Sequence, residues 1–315
     1  MNSMYQVIDG KCVIPVGVTE LSRRSFSGCD KLKEVSLPPS VTVIHSGAFY
    51  DCWGLTSVEI PASVTSIEPG AFLGCPGIEA IHVAEENPAY RSEANCCLTK
   101  DGKTLVFGCK YSVIPDSVET ISTAAFQWCE ELTVIHIPSS VKRIEDRAFY
   151  GCLSLRKLVF SKNGRLEEIG DDAFSHCPDL RMITLPESIS RIGKGAFSHC
   201  INLWSINVPH CVEHISDGTF YKCAILSNFT LPDGVTSIGH YAFYGCCNLE
   251  DLTIPPSVKS IGSHAFAGCG RKESVRIPPS VEYLGPYVSS LYVPEEIVIP
   301  DKLDLAKKDP DELPF

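Results

Sequence analysis

The sequence lacks several features that would assign the chain to a common functional class. No run of about 18 apolar residues is present, so the sequence does not predict a membrane-spanning helix. Basic residues are also few, since 27 Lys and Arg stand against 38 Asp and Glu and give a net charge of -11. This acidic balance argues against nucleic acid as a partner, because phosphate contacts need clustered Lys and Arg.

Motifs for secretion and for catalysis are missing as well. Residues 1–9 have neither the basic region nor the apolar region of a secretory signal peptide, which favours a cytoplasmic location. The chain contains no C-x-x-C, G-x-S-x-G or P-loop motif, and its paired carboxylates, such as Asp171 and Asp172, fall in turns. We therefore expect no enzymatic activity, no cofactor and no resident metal.

What the sequence has in abundance is a 23-residue repeat. Most copies follow the pattern Ile-Pro-x-Ser-Val-x-x-Ile-x-x-x-Ala-Phe-x-x-Cys-x-x-Leu-x-x-Val-x, and we number the positions of each coil from its first Ile. Ten complete coils and a truncated one begin at Ile14, Leu37, Ile60, Ile114, Ile137, Phe160, Leu185, Val208, Leu231, Ile254 and Ile277. A period of this length predicts a solenoid, in which each coil is stabilised by its neighbours.

The repeat also predicts how the chain is divided. Residues 1–13 are expected to form an N-terminal cap, residues 14–291 a solenoid of about eleven coils, and residues 292–315 a C-terminal cap strand with a flexible tail. A 31-residue insertion at 83–113 interrupts the period, and its Asp101-Gly102 turn predicts a β-hairpin. We expect this hairpin to pack beside the third and fourth coils, with Cys96, Cys97 and Cys109 as the most exposed thiols.

Within a coil, the pattern predicts a mostly β structure with short helical turns. Leu-x-x-Val-x-Ile is typical of a short strand, and successive strands should form one parallel sheet along a face of the solenoid. Val-x-x-Ile predicts a second, shorter strand, and Ala-Phe-x-x-Cys a tight helical turn that closes the coil. Position 13 is Phe in every complete coil, which predicts a buried column of rings.

Cysteine recurs at position 16 of all ten complete coils. Because it stays in phase with the buried Phe and Leu, we interpret it as a ladder of reduced thiols that act as small core residues. A coil spacing of about 4.8 Å does not by distance forbid disulfides, but parallel side-chain directions argue against them. The ladder consists of Cys29, Cys52, Cys75, Cys129, Cys152, Cys177, Cys200, Cys223, Cys246 and Cys269.

Cys52, Leu55, Val58 and Ile60 are spaced as in a leucine-rich repeat, and the Pro, Ser-Val and Ala-Phe-x-x-Cys signatures resemble the BspA-type subfamily over residues 14–291. One departure is that the usual Asn ladder is absent, since Ser63 and its equivalents stand there. The resemblance implies a right-handed solenoid that binds a protein or glycan, often at a cell surface, in adhesion or host interaction. The alternative is an intracellular protein-interaction scaffold. In either case we expect a monomer.

The outward strand positions 20, 21 and 23 supply the candidate binding patch, because packing does not dictate their identity. Apolar residues here indicate an interaction surface, although outward β-branched residues also simply favour strands. The patch contains Val134, His136, Lys157, Val159, Met182, Thr184 and Trp204. A second candidate is a ridge at positions 14 and 15, whose aromatics could equally cover the closing turns. It contains Tyr50, Tyr150, Tyr221, Tyr244, Trp128, His176 and His199.

One motif keeps a remote enzymatic alternative open. His210, Glu213 and His214 match H-x-x-E-H, a zinc-peptidase pattern in which a helix places both imidazoles beside the carboxylate. Here the motif falls where the other coils have a turn and a strand, so coincidence is the favoured interpretation. A zinc hydrolase remains as the remote alternative.

Overall fold

The computed structural model describes residues 5–249, 252–270 and 275–288. Over these residues the chain forms a β-solenoid of about twelve turns, and no helix is present in the described part. The strands in chain order are β1 (Lys11–Val13), β2 (Glu20–Leu21), β3 (Glu34–Ser36), β4 (Val43–Ile44), β5 (Ser57–Ile60), β6 (Ser66–Ile67), β7 (Ala80–Val83), β8 (Tyr90–Glu93), β9 (Cys96–Thr99), β10 (Thr104–Gly108), β11 (Thr120–Ile121), β12 (Val134–Ile137), β13 (Arg143–Ile144), β14 (Lys157–Phe160), β15 (Glu168–Ile169), β16 (Met182–Ile183), β17 (Arg191–Ile192), β18 (Ser205–Ile206), β19 (His214–Ile215), β20 (Ser237–Ile238), β21 (Leu252–Thr253), β22 (Ser260–Ile261), β23 (Val275–Arg276) and β24 (Tyr283–Leu284).

The Leu-x-x-Val-x-Ile segments form the predicted parallel strands on one face, which we call the sheet face. Their ladder is interrupted, however, and consists of the pairs β1–β3, β5–β7, β12–β14, β16–β18 and β21–β23. Because these strands are so short, the loss of a single hydrogen bond is enough to end the pairing between two of them. Single bonds still connect neighbouring pairs, such as that from the Thr56 N–H to the Lys33 carbonyl at 3.1 Å.

The Val-x-x-Ile segments form the predicted second strands, and their ladder is the more continuous one. Parallel pairing joins β2, β4 and β6 into one sheet and β19, β20, β22 and β24 into another. Between them lies a seven-stranded sheet in the order β17, β15, β13, β11, β10, β9 and β8. This second face therefore carries the more continuous strand pairing between coils.

The segment that closes each coil is a pair of turns, and the expectation of a tight helical turn was wrong. Positions 11 and 15 adopt left-handed backbone angles, for example φ of 55° at Arg147 and 58° at Trp128. A left-handed residue ends a right-handed helical run, so the amide groups turn toward the next coil. The Phe149 N–H accordingly donates to the Ala173 carbonyl of the following coil at 2.8 Å.

The core contains the predicted column of Phe rings. Neighbouring rings within each half of the solenoid are stacked nearly parallel, with centroids 4.9–5.9 Å apart. At the N-terminal end Tyr5 adds a further ring, 5.3 Å from Phe26, while β1 pairs with β3. The proposed C-terminal cap at 292–315 lies outside the described residues.

All sixteen cysteines are free thiols, and most of the ladder is fully buried. The ladder also makes a contact that the sequence did not suggest. Thiols of successive coils donate to the carbonyl oxygen of the position-13 Phe in the preceding coil, with S···O distances of 2.9–3.2 Å at Cys52, Cys75, Cys152, Cys177, Cys200, Cys223, Cys246 and Cys269. Burial raises the pKa of Cys152 and Cys200 well above the ordinary value of a thiol, and a protonated thiol is the form that can donate.

The insertion lies between the third and fourth coils and packs against both of them. The predicted hairpin is present as antiparallel β9 and β10, and β8 adds a third strand. Strand β10 then pairs with β11 of the fourth coil. The insertion thus continues the second-face sheet as an extra layer of the solenoid.

Both sides of this layer are buried, which explains why its cysteines are not exposed. Cys97 and Phe107 belong to the core of the first three coils, whereas Cys96 and Leu105 belong to the core of the later coils. Phe107 also extends the ring column, 4.5 Å from Phe72. The prediction that Cys96, Cys97 and Cys109 are the most exposed thiols was therefore wrong. The exposed thiols are Cys211 and Cys247.

Gly108 shows how tightly this layer is inserted. A Cβ at this residue would lie 2.2 Å from the ring of Phe126 in the fourth coil. Without a side chain, the Gly108 N–H reaches the Ala125 carbonyl at 3.0 Å. Glycine is thus required by the close approach of the Phe126 ring to the backbone of β10.

Candidate functional site

The structure brings the predicted patch residues together on the sheet face. Val134 pairs in register with Lys157, and Met182 pairs with Ser205. The side chains of Val134, Met182 and Trp204 are 42%, 55% and 41% exposed. His136 and Thr184 are exposed and Val159 is half-buried. These seven residues therefore occupy neighbouring coils on one accessible surface.

Lys157 lies between the apolar side chains of this patch. It stands in register beside Val134, one coil before the coil of Met182. The rim is charged as well, since Arg156 forms an ion pair with Asp179 at 3.2 Å. The patch therefore combines exposed apolar side chains with a lysine among them and a charged rim.

The ridge of positions 14 and 15 is a continuous column of half-buried aromatic rings. Ring centroids lie 5.5 Å apart for Trp128 and Tyr150, 5.0 Å for Tyr150 and His176, 4.2 Å for His176 and His199, 5.2 Å for His199 and Tyr221, and 5.1 Å for Tyr221 and Tyr244. Tyr50 lies apart from this column, in the second coil, and is 39% exposed. The rings stack against one another over the closing turns, so much of their surface is used within the fold.

The two histidines of the ridge are held in the same way. Nδ1 of His176 lies 2.9 Å from the Ser175 hydroxyl, and Nδ1 of His199 lies 2.9 Å from the Ser198 hydroxyl. Burial lowers the pKa of both imidazoles, that of His199 to about 4. Both rings are therefore neutral near pH 7. Over the described part of the chain, no cluster of three His, Cys, Asp or Glu side chains is arranged to hold a metal ion.

The residues of the H-x-x-E-H motif lie in a turn and a strand rather than on one helix. Both imidazoles have separate partners. Nδ1 of His210 lies 2.8 Å from the Glu187 carboxylate, and Nδ1 of His214 lies 2.8 Å from the Ser237 hydroxyl. The helical arrangement that the motif requires is not formed.

Sequence reasoning missed a cleft along the corner between the second face and the closing turns. It has a volume of about 600 Å³ and runs past positions 10 and 11 of successive coils. Its charged lining includes Asp146, Arg147, Asp172, Lys194 and Asp217. The signal that could have identified it is the change of residue type at these two positions from coil to coil, because neither position follows the apolar repeat.

Part of this lining is structural. Oδ1 of Asp146 accepts the N–H of Asp171, Oδ1 of Asp171 accepts that of Lys194, and Oδ1 of Asp217 accepts that of His240, at 2.8–2.9 Å. These position-10 side chains thus form a polar ladder between coils. It supplies hydrogen bonds of the kind that the absent Asn ladder would make.

Comparison with known proteins supports the resemblance seen in the repeats. A family model described as BspA type leucine rich repeat region matches residues 9–100, 106–226 and 213–308, in six copies. Among curated protein sequences no match is found. Within the described residues, no helix has the length and apolar character needed to cross a membrane.

Several solved structures are similar. A leucine-rich cell surface protein from Faecalibacterium prausnitzii is 33% identical with a TM-score of 0.61, and the match covers 69% of this chain and 58% of that protein. A leucine-rich repeat protein from Eubacterium ventriosum is 23% identical with a TM-score of 0.67, over 86% of this chain and 84% of the other. The pneumococcal vaccine antigen PcpA is 17% identical with a TM-score of 0.58, over 88% and 62%. The last two share the fold.

Proposed function

Because this chain belongs to the BspA type leucine-rich repeat family, we propose that it is a non-enzymatic binding protein that holds a macromolecular partner, protein or glycan, on its sheet face. The observation that carries the proposal is the exposure of Val134, Met182 and Trp204 on neighbouring coils of one face. Interior packing does not require these side chains, whose inward neighbours already fill the core. A flat apolar patch with charged neighbours favours a protein partner over a glycan.

The absence of catalysis is part of the same proposal. This part of the proposal is supported by the side chains capable of acid–base or metal chemistry, which have structural partners. The H-x-x-E-H residues are divided between a turn and a strand, and the Asp146 and Asp217 carboxylates accept backbone N–H groups.

Photo-crosslinking from the patch tests the proposed binding surface. A photoreactive phenylalanine analogue is placed at Met182 or Trp204, and the matched control carries it at Glu59, an exposed outward residue of the same face three coils or more away. The labelled proteins are exposed to intact cells or to a panel of immobilised extracellular proteins and glycans. Crosslinks from Met182 and Trp204 but not from Glu59 support the patch. Equal crosslinking at all three positions contradicts it.

We propose a cell-surface location, supported by the similarity to the Faecalibacterium prausnitzii surface protein. One observation favours the second candidate, a scaffold in a reducing compartment. The sixteen free thiols include a ladder of S–H donors that oxidation would disrupt. Counting thiols in protein isolated from its source without reductant distinguishes the two. Sixteen reactive thiols after denaturation, with few in the native state, favour the scaffold, and substantially fewer favour export.

A further inference from the structure

The middle of the sheet face differs in charge from the rest of the chain. At the outward strand positions 20, 21 and 23, the fifth and sixth coils carry Arg156, Lys157 and Arg181 and no Asp or Glu. The same positions of the first three coils hold one cation and three acids, namely Lys33, Glu34, Glu59 and Glu79. Because the chain as a whole has a net charge of -11, this local excess of cations does not follow from its overall composition.

The cations of this region are exposed, and most of their charge is uncompensated. The side chain of Arg156 is 69% exposed and pairs with Asp179 at 3.2 Å. Lys157 and Arg181 are exposed as well, and neither forms an ion pair with a carboxylate among the described residues. These two side chains therefore leave positive charge on the fifth and sixth coils.

The acids of the neighbouring coils do not cancel this charge. Glu79 and Glu131 are both paired with Lys110, at 3.4 and 2.8 Å. Glu59 of the second coil lies four layers from Lys157 when the insertion is included, which is about 19 Å at a layer spacing of about 4.8 Å. The Debye length at physiological ionic strength is only about 8 Å. The centre of the sheet face thus attracts anionic groups locally.

Exposed apolar side chains adjoin the same cations. Met182 follows Arg181 in the chain and is 55% exposed, and Trp204 stands at the position of Arg181 in the next coil and is 41% exposed. The Trp204 N–H donates to the Arg181 carbonyl at 2.9 Å, which holds the two residues side by side. Ile201, in the same coil as Trp204, is 45% exposed and extends the apolar area toward the closing turns. A ligand that fits this region must offer apolar contact as well as negative charge.

This combination distinguishes between the classes of anionic partner. Nucleic acid requires a larger cluster of Lys and Arg, and a sulfated glycan has no apolar side chains to cover Met182 and Trp204. An acidic protein segment supplies both kinds of contact, because carboxylates form charge-assisted hydrogen bonds with Lys157 and Arg181 while its apolar side chains cover the rest. The fourth to seventh coils span about 14 Å, the length of about four extended residues.

We infer that the partner held on the sheet face is an acidic, partly apolar protein segment. Its carboxylates pair with Lys157 and Arg181, and its apolar side chains pack on Met182 and Trp204. This assignment rests on the sheet-face binding proposed above and specifies the chemistry of the partner. Complementary charge of this kind speeds association and suppresses partners of the wrong sign.

Selection of a phage-displayed library of random peptides on the immobilised full chain tests the inference. Enriched peptides are expected to contain more Asp and Glu than Lys and Arg, together with Trp, Phe or Leu. Arg181→Glu or Lys157→Glu is expected to weaken binding of a synthesised enriched peptide by about tenfold or more, and high salt should weaken it as well. Lys33→Glu, the same substitution at position 20 of the first coil, is the matched control and should leave binding unchanged. Circular dichroism verifies that each variant remains folded.

The other outcomes separate failure of this inference from failure of the proposed binding surface. Enriched apolar peptides without an acidic excess, lost in Trp204→Ser but retained in Arg181→Glu, would keep the sheet face as the binding surface and overturn the acidic partner. Peptide binding that survives all of Trp204→Ser, Arg181→Glu and Lys157→Glu would overturn both proposals. Heparin is titrated as the competing sulfated glycan, and binding of heparin with no enrichment of peptides overturns the acidic protein segment in favour of a glycan.

Discussion

Replacing Phe149 by Ala is the most direct test of how the solenoid is held together. The side chain is fully buried, and its ring lies 5.0 Å from that of Phe126 and 5.1 Å from that of Phe174. Burial of such a side chain contributes about 1.5–3 kcal/mol, and each stacked pair adds about 0.5–1.5 kcal/mol. The expected loss of unfolding free energy is therefore about 3–5 kcal/mol, in line with other buried Phe→Ala substitutions.

Urea denaturation followed by circular dichroism measures this loss. In a solenoid the affected coils can unfold before the rest, so both the midpoint and the slope of the transition are compared. Phe149→Leu keeps most of the volume but removes the stacking, and should cost under about 2 kcal/mol. Lys157→Ala, at an exposed residue of the same coil, should change stability by less than about 0.5 kcal/mol. A Phe149→Ala loss below about 1 kcal/mol, or an equal loss for Lys157→Ala, would refute the ring column as the source of stability.

Three further substitutions test other parts of the fold. Cys200→Ala removes a buried thiol donor and should cost about 1–2 kcal/mol in urea denaturation, whereas Cys247→Ala, at an exposed thiol, should be nearly neutral. Asn87→Ala removes four hydrogen bonds, two to carbonyls of the third coil and two from N–H groups of the insertion, and should cost about 3 kcal/mol or more, and exposed Asn248→Ala is its control. The pKa of His199 is lowered on folding to about 4, so the unfolded chain binds more protons between pH 6.5 and 4 and stability should fall as pH falls through this window. His199→Phe should flatten that dependence when urea midpoints are compared at pH 7 and 4.5, and an unchanged slope would contradict the assignment.

The parts of the fold that follow from packing could be predicted from the sequence. Phe149 and Cys152 recur at fixed positions because each coil buries the same side of the chain, so their phase identifies the core without a structure. The two strands per coil follow from the same periodicity. What the pattern could not show is that the thiol of Cys152 donates to a carbonyl of the preceding coil, because residue spacing carries no information about hydrogen-bond direction.

The insertion was harder to predict because its sequence resembles a surface hairpin. A hairpin on the outside of a solenoid buries one side, and on that assumption Cys96 or Cys97 should be exposed. In the structure the two residues contact different cores, since the hairpin is a layer with solenoid on both sides. The burial of Cys96 and Cys97 depends on the coils that flank the insertion, so the local sequence pattern of the hairpin cannot predict it.

The candidate sites differ from the core because packing leaves their residue types undetermined. A repeat protein nevertheless provides its own comparison, since one backbone position recurs in many coils. Position 11 is left-handed in every coil, and glycine, which a positive φ favours, stands there at Gly47, Gly70, Gly195 and Gly218, whereas Asp172 and Tyr241 depart from that preference. A departure of this kind indicates a role outside folding more directly than exposure does, as exposed Met182 and Trp204 still occupy strand positions where apolar residues are favoured.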